Sequence, residues 1–192
     1  RTRRDAPAHS PNTPFVQLIE RVGVSAVVDL SVNLGLRSYA EEGTHDGERS
    51  IAQFQKDANL GSYVLGSTPV NALELSNVGA SLASGGTWCE PNPIDAVYDR
   101  NGQEVYLERT PCENVMDSNA ADALSQAMTE DGKSGTAANA RNAEGFPGTM
   151  AAKTGTTNEN YSAAFLAFNS GIAAAPYIFN DSTTTMSLCT SP

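Results

Sequence analysis

The chain has 192 residues and a formal net charge of -10 at pH 7, with 40% hydrophobic and 7% aromatic residues. This length and composition suffice for one sizeable hydrophobic core. The negative charge argues against nucleic-acid binding, which needs clustered lysine and arginine to displace counterions. No apolar run approaches the roughly 20 residues that span a bilayer, and no signal-peptide pattern occurs. A membrane anchor is therefore expected only in sequence outside this chain.

The first half of the chain predicts helices. Apolar residues recur at helical spacing over residues 14–22 and 25–34. Residues 40–49 are charged and punctuated by glycine, which indicates an exposed insertion. Two further helices carry start and end signals. These signals are Thr68, Pro69 and Gly85-Gly86 for a helix at 69–84, and Asp117 and Gly132 for one at 118–131.

The chain contains three cysteines, and their positions indicate the redox environment in which the protein folds. Cys89 and Cys112 bracket residues 94–107, which predict two strands around an Asn-Gly turn. A hairpin returns its ends to one place, so we expect a disulfide between these two cysteines. Cys189 is left over and would pair with a cysteine elsewhere. This usage favours an oxidising, extracytoplasmic setting.

The C-terminal third of the chain predicts an antiparallel sheet. Strands are expected at about 149–155, 161–168 and 172–179, joined by short turns. Pro176 would cost a ladder hydrogen bond and indicates an edge or a bulge. Together with the helices, this predicts an α+β domain in which helices pack on an antiparallel sheet.

The sequence Lys153-Thr154-Gly155-Thr156 places a cation, two hydroxyls and a flexible backbone beside one another. A phosphate loop is excluded, because Ala152 precedes the lysine and Pro147 stands where the first glycine belongs. The flanking β-rich residues instead suggest the Lys-Thr-Gly motif of penicillin-recognising serine enzymes.

A Ser-x-Asn sequence near the N-terminus supports this assignment. Ser10 and Asn12 lie just before a predicted amphipathic helix, where side chains can face a cleft. Ser31 and Asn33 form a second copy, but they fall within a predicted helix as its polar face. We therefore predict Ser10 and Asn12 as the functional pair.

The chain resembles the transpeptidase domain of class A, bifunctional penicillin-binding proteins of the actinobacterial type. Besides the two motifs, residues 65–86 resemble the long helix between them, and Gly135-Thr136-Ala137 resembles the family's Gly-Thr-Ala step. The resemblance implies a β-lactamase/transpeptidase-like fold. It covers nearly the whole chain, with the acidic stretch at 41–58 the least supported.

The family's first motif, Ser-x-x-Lys, carries the nucleophilic serine and occurs nowhere in this chain. We therefore interpret residues 1–192 as a partial transpeptidase domain, incomplete at both ends and inactive alone. The resemblance implies acyl transfer from D-Ala-D-Ala stem peptides of peptidoglycan, and binding of β-lactams. A D,D-carboxypeptidase, a β-lactamase and a non-catalytic penicillin-binding-like module stay open as alternatives.

The resemblance also implies residue roles. Ser10 would relay a proton to the leaving nitrogen, Asn12 would hold the substrate amide, and Lys153 would set a positive field. The substrate carboxylate and oxyanion would be bound by Thr154, Gly155 and Thr156. No metal or cofactor is predicted, because the cysteines and the acidic insertion lack ligand spacing. His9 and His45 are interpreted as solvated side chains.

Overall fold

The computed structural model describes residues 6–180 and 186–188. Within them the α-helices are α1 (Ala6–His9), α2 (Asn12–Val22), α3 (Val24–Leu34), α4 (Ile51–Asp57), α5 (Ala72–Ala83), α6 (Ser118–Ser134) and α7 (Ala138–Ala143). The strands are β1 (Thr87–Trp88), β2 (Val97–Tyr98), β3 (Glu104–Val105), β4 (Glu113–Asn114), β5 (Ala151–Thr156), β6 (Ser162–Phe168), β7 (Ala173–Ala174) and β8 (Tyr177–Phe179). Short 3-10 helices occupy Arg37–Ala40, Gly61–Leu65 and Asn158–Asn160.

The main sheet is antiparallel, and β6 is its central strand. Strand β5 pairs with one side of β6, from Ala151 opposite Phe168 to Thr156 opposite Ala163. Both β7 and β8 pair with the other side of β6. They are separated by residues 175–176, so the single strand predicted at 172–179 is wrong. The interruption falls at Pro176, where the sequence predicts an edge or a bulge. Among the described strands, β5 therefore lies at an edge of the sheet.

Helices α5 and α6 pack against this sheet and enclose the larger core. Gly79 of α5 permits a close approach, because an added Cβ would lie 2.9 Å from a methyl group of Leu166. The core is formed by residues from α3, α5, α6 and the sheet: Leu34, Leu82, Ala121, Met128, Ala151, Leu166, Phe168 and Ala175. A second cluster joins α2, α3 and α4 through Ile19, Val24, Val28, Tyr39, Ala52 and Tyr63. The predicted α+β class, with helices packed on an antiparallel sheet, is confirmed.

Two predicted helix ends are wrong. Helix α5 begins at Ala72, because Asn71 caps it by accepting a hydrogen bond from the backbone N–H of Glu74 at 2.7 Å. Pro69 lies before the helix, and its carbonyl accepts a hydrogen bond from the Tyr39 hydroxyl at 2.6 Å.

Helix α6 continues past Gly132 to Ser134. Gly132 is buried within the helix, and an added Cβ there would lie 3.4 Å from Met150.

Residues 40–49 are largely exposed, as predicted, but the acidic stretch at 41–58 continues beyond them. Its second half forms α4, which the sequence interpretation did not anticipate. Ser50 caps this helix by accepting a hydrogen bond from the Gln53 N–H at 3.0 Å. Ala52 of α4 packs in the second core cluster, so this segment contributes to the fold.

The predicted disulfide between Cys89 and Cys112 is confirmed. The enclosed segment forms the predicted hairpin of β2 and β3, with its turn at residues 99–102. Next to the cysteines, β1 pairs with β4. Cys189 lies outside the described residues. No described helix is long and apolar enough to cross a membrane.

Candidate active site

Strand β5 carries Lys153, Thr154, Gly155 and Thr156. The preceding Ala151 and Ala152 are buried, and this anchors the start of the strand in the core. Exposure then increases along β5, so Lys153 is half-buried and Thr156 is exposed. A sheet strand fixed in this way holds a lysine in a defined position at the surface.

Ser10 lies between α1 and α2, with its backbone in the left-handed region at φ 46°. Lys153 Nζ donates hydrogen bonds to Ser10 Oγ and to the Thr154 carbonyl. The structure thus brings together the serine and the lysine singled out in the sequence. The competing Ser31 instead donates to the Val27 carbonyl within α3, at 2.8 Å.

Asn12 is the first residue of α2 and is exposed. The sequence placed it in the loop before the helix, so α2 begins two residues earlier than expected. No hydrogen bond joins Asn12 to Lys153 among the described residues. Its position two residues beyond Ser10 keeps it on the surface beside the site.

Asp131 is the acidic residue that the sequence interpretation missed. Its side chain is 0% exposed. One carboxylate oxygen accepts hydrogen bonds from Thr136 Oγ1 at 2.7 Å and the Ala137 N–H at 3.2 Å. The other oxygen accepts from the Thr154 N–H at 3.2 Å. Helical spacing from Ala121 and Met128 places residue 131 on the apolar face, which was the available signal.

The environment of Lys153 changes its basicity. Burial lowers the pKa of the Lys153 ammonium below its usual value, since desolvation disfavours the charged form. The negative charge of Asp131 opposes part of that shift. Lys153 is therefore an ammonium whose proton is held less tightly than that of an exposed lysine.

The outer edge of β5 presents backbone N–H groups. The Thr154 N–H faces away from β6, because it donates to Asp131. Successive backbone N–H groups point to opposite sides of a strand, so the Thr156 N–H points to the same outer edge as that of Thr154. Around Gly155 an added Cβ would contact only Ala164, at 3.8 Å. This part of the edge has room for another group.

The family described as "Penicillin binding protein transpeptidase domain" matches residues 1–167. The chain belongs to this family. Membership confirms the resemblance found in the sequence motifs, and both motifs, Ser10 to Asn12 and Lys153 to Gly155, fall within the matched residues.

Two relatives are named "Penicillin-binding protein 1A". The protein of Aquifex aeolicus is 30% identical over 187 residues, covering 94% of this chain and 22% of the relative. That of Rickettsia typhi is 26% identical, covering 94% of this chain and 23% of the relative. The chain therefore spans less than a quarter of the length of these relatives.

Solved structures of penicillin-binding proteins share the fold. The Mycobacterium tuberculosis protein PonA1 matches with a TM-score of 0.71 and 20% identity, over 92% of this chain and 47% of that one. Penicillin-binding protein A of the same organism, solved as an imipenem acyl-enzyme complex, matches with a TM-score of 0.72 and 23% identity, over 97% and 44%.

In this transpeptidase-family chain, a groove of about 450 Å³ adjoins the end of β5. Gly155 and Thr156 line it on the sheet side, and Tyr39 and Tyr63 line it on the helical side. Burial raises the pKa of both tyrosines, which keeps their hydroxyls protonated. The groove thus reaches from the exposed end of β5, at Gly155 and Thr156, to the second core cluster.

Proposed function

We propose that this chain is part of a peptidoglycan D,D-transpeptidase that cross-links cell-wall stem peptides through an acyl-serine intermediate and binds penicillin. The observation that carries this proposal is the hydrogen bond from Lys153 to Ser10 beside the open edge of β5. It joins a proton-relay hydroxyl to a cation at a place where a peptide can lie.

The reaction is two acyl transfers. A serine hydroxyl attacks the carbonyl carbon of the terminal D-Ala-D-Ala amide, and the C–N bond breaks to release D-alanine. The amine of a second stem peptide then attacks the ester and regenerates the serine. Because no Ser-x-x-Lys sequence occurs in residues 1–192, we assign the nucleophile to sequence outside this chain and these residues to part of the domain.

Ser10 passes a proton to the departing nitrogen, which would otherwise leave as an unstable anion. Lys153 supports this step, because its positive charge favours the oxygen of Ser10 when that oxygen gives up its proton. Asn12 offers both a donor and an acceptor, and it holds the substrate amide from the α2 side.

Thr154, Gly155 and Thr156 bind the substrate. The extended peptide adds to the outer edge of β5, where Gly155 leaves space. The outward Thr156 N–H donates to the oxyanion that forms on the attacked carbonyl. The hydroxyls of Thr154 and Thr156, together with the charge of Lys153, bind the terminal carboxylate.

The extracytoplasmic face of the membrane is the setting that we propose. A disulfide such as Cys89–Cys112 persists in oxidising compartments, and peptidoglycan is cross-linked outside the cytoplasm. Membrane attachment would come from sequence outside this chain. Binding of β-lactams is supported by the fold neighbour PonA1, whose structure has been solved in complex with penicillin V.

Labelling of the full-length protein with fluorescent penicillin, followed by peptide mapping, tests this function. The adduct should map to a serine outside residues 1–192, and the 192-residue polypeptide should form none. Lys153→Ala should slow acylation at least about a hundredfold, as for a lost transition-state contact. Lys133→Ala is the control, because Lys133 is exposed and pairs with Glu130.

The outcomes separate the alternatives. An adduct on a serine within this chain would refute the assignment of the nucleophile. Absence of any adduct on the full-length protein would favour a non-catalytic module. Product analysis with a donor peptide and an acceptor amine distinguishes a transpeptidase from a carboxypeptidase, because the carboxypeptidase transfers the acyl group only to water.

A further inference from the structure

Asp131 is the one ionisable side chain that is fully buried among the described residues. A buried carboxylate is costly unless hydrogen bonds compensate for lost water. The roles proposed above for Ser10, Lys153 and the β5 threonines do not use it. Its position therefore calls for a separate explanation.

The hydrogen bonds of Asp131 reach the strand that carries Lys153. Its bond to the Thr154 N–H fixes the backbone next to the lysine, at the outer edge of β5. The Thr136 hydroxyl donates to Asp131, and it also contacts the Thr154 hydroxyl. Thr136 has a single hydroxyl proton, so Thr154 is the donor in this second contact until a substrate carboxylate takes over that hydrogen bond. Backbone and side chain of Thr154 are thus both tied to Asp131.

Thr136, which donates to the Asp131 carboxylate, also contacts the segment that carries Ser10. The Thr136 N–H donates to the Ala8 carbonyl at 3.1 Å, and Ala8 is buried two residues before Ser10. Gly135 makes this packing possible, because an added Cβ would lie 2.3 Å from the Ala8 oxygen and 2.5 Å from an Asp131 oxygen. The segment that carries Ser10 therefore rests on the turn that Asp131 organises.

We propose that Asp131 is a positioning residue that fixes the positions of Ser10 and Lys153 relative to each other. It fixes the Lys153 side through Thr154 and the Ser10 side through Thr136 and Ala8. This inference rests on the acyl-transfer function proposed above. It adds a residue from outside the three family motifs and explains why the Asp131 carboxylate is buried.

The charge of Asp131 matters as well as its shape. Hydrogen bonds to an ionised acceptor are roughly twice as strong as neutral ones. In Asp131→Asn the amide can still accept from Thr136 and Ala137. Its NH₂ group would then face the Thr154 N–H, donor against donor. The variant therefore loses the tie to β5 together with the charge that acts on Lys153.

The test compares variants of the full-length protein in their acylation by a β-lactam, with the acylation rate constant measured separately from the dissociation constant. Asp131→Asn should lower the rate constant about tenfold or more, because small displacements of reacting groups carry large rate penalties. The dissociation constant should change little. Asp122→Asn is the matched control, since Asp122 is exposed on the same helix.

Thr136→Val keeps the fold testable if Asp131→Asn does not fold. It removes the hydroxyl bridge but nearly preserves shape, whereas Thr136→Ser retains the hydroxyl. Slow acylation by the valine variant with restoration by the serine variant supports the inference. Acylation by Thr136→Val at the wild-type rate overturns it.

A second measurement is independent of β-lactam chemistry. The pH dependence of Lys153 acetylation, followed by peptide mapping in the full-length protein, should shift to lower pH in Asp131→Asn. If the wild-type protein forms no β-lactam adduct, the acyl-transfer proposal fails, and the acetylation midpoint still tests whether Asp131 acts on Lys153. An unchanged midpoint then overturns the link from Asp131 to Lys153.

Discussion

Lys153 donates a hydrogen bond to Ser10, although 143 positions of sequence separate the two residues. Neither residue is held by its own local structure alone. Lys153 is fixed by a strand that begins in the core, and Ser10 follows a short helix packed on α6. The pair therefore forms only when the sheet, α6 and the N-terminal segment are assembled together.

The pH dependence of acylation should report the charge of Lys153. The rate should fall as pH rises through the pKa of Lys153, because deprotonation removes the positive charge beside Ser10. Burial lowers that pKa, so the fall should begin below pH about 10.4, where an exposed lysine titrates. Rates of β-lactam acylation at a series of pH values measure this.

The other titratable groups around Lys153 are few. Asp131 acts on it from α6, His9 precedes Ser10, and β6 carries no titratable side chain. Lys153→Arg is the control, because its guanidinium stays protonated throughout this range and should abolish the alkaline fall. A profile in the unmodified protein that stays level beyond pH about 10.4 would contradict the role given to the ammonium.

Gly135→Ala should destabilise the protein by about 2 kcal/mol or more, as expected for overpacking in a tight site. The new methyl group would overlap the Ala8 carbonyl and the Asp131 carboxylate. Denaturant unfolding of the full-length protein measures the change. Gly61→Ala is the matched control, since an added Cβ there meets nothing within 4 Å. Equal stability of the two variants would show that the packing at Gly135 adapts freely.

Gly155→Ala should leave stability nearly unchanged and slow acylation by about tenfold. The added methyl contacts Ala164 at an ordinary 3.8 Å, so the fold accommodates it. It would nevertheless occupy space at the edge where substrate is proposed to lie, and the tenfold loss corresponds to about 1.4 kcal/mol of transition-state binding. Acylation at the wild-type rate with intact stability would place the substrate elsewhere.

Replacing Cys89 and Cys112 together by serine should lower stability by about 3 kcal/mol in the chain-entropy model. The bridge closes a loop between cysteines separated by 23 positions. Thermal unfolding of oxidised, reduced and double-serine protein measures the effect, and the reduced protein should resemble the variant. Non-reducing peptide mapping should recover the two cysteines linked. Alkylation of both thiols without reductant would contradict the bridge.

Much of this architecture follows from short-range patterns in the sequence. Helical periodicity located α2 and α3, the capping role of Asp117 was correct, and Pro176 marked the break between β7 and β8. The helical pattern around Ser31 and Asn33, which share the Ser-x-Asn spacing, also favoured Ser10 and Asn12 as the functional pair. In each case neighbouring residues determine the outcome, so the local sequence contains the information.

What the sequence did not reveal depends on tertiary contacts. Asp131 lies on an apolar helix face, but only the fold shows that its oxygens meet donors from Thr136, Ala137 and Thr154. Helix α4 was missed because charge dominates the residues before it. Gly132 resembled a helix end, whereas it lies buried within α6, which continues to Ser134.

The hairpin of β2 and β3 is a suitable site for inserting a tag into the protein. Its four strand residues are exposed, and the Cys89–Cys112 bridge ties both of its ends covalently to each other. An epitope tag or a small fluorescent reporter inserted between Asn101 and Gly102 would extend a loop already open to solvent. Such a reporter would allow the protein to be followed in living cells while the Ser10–Lys153 pair is left intact.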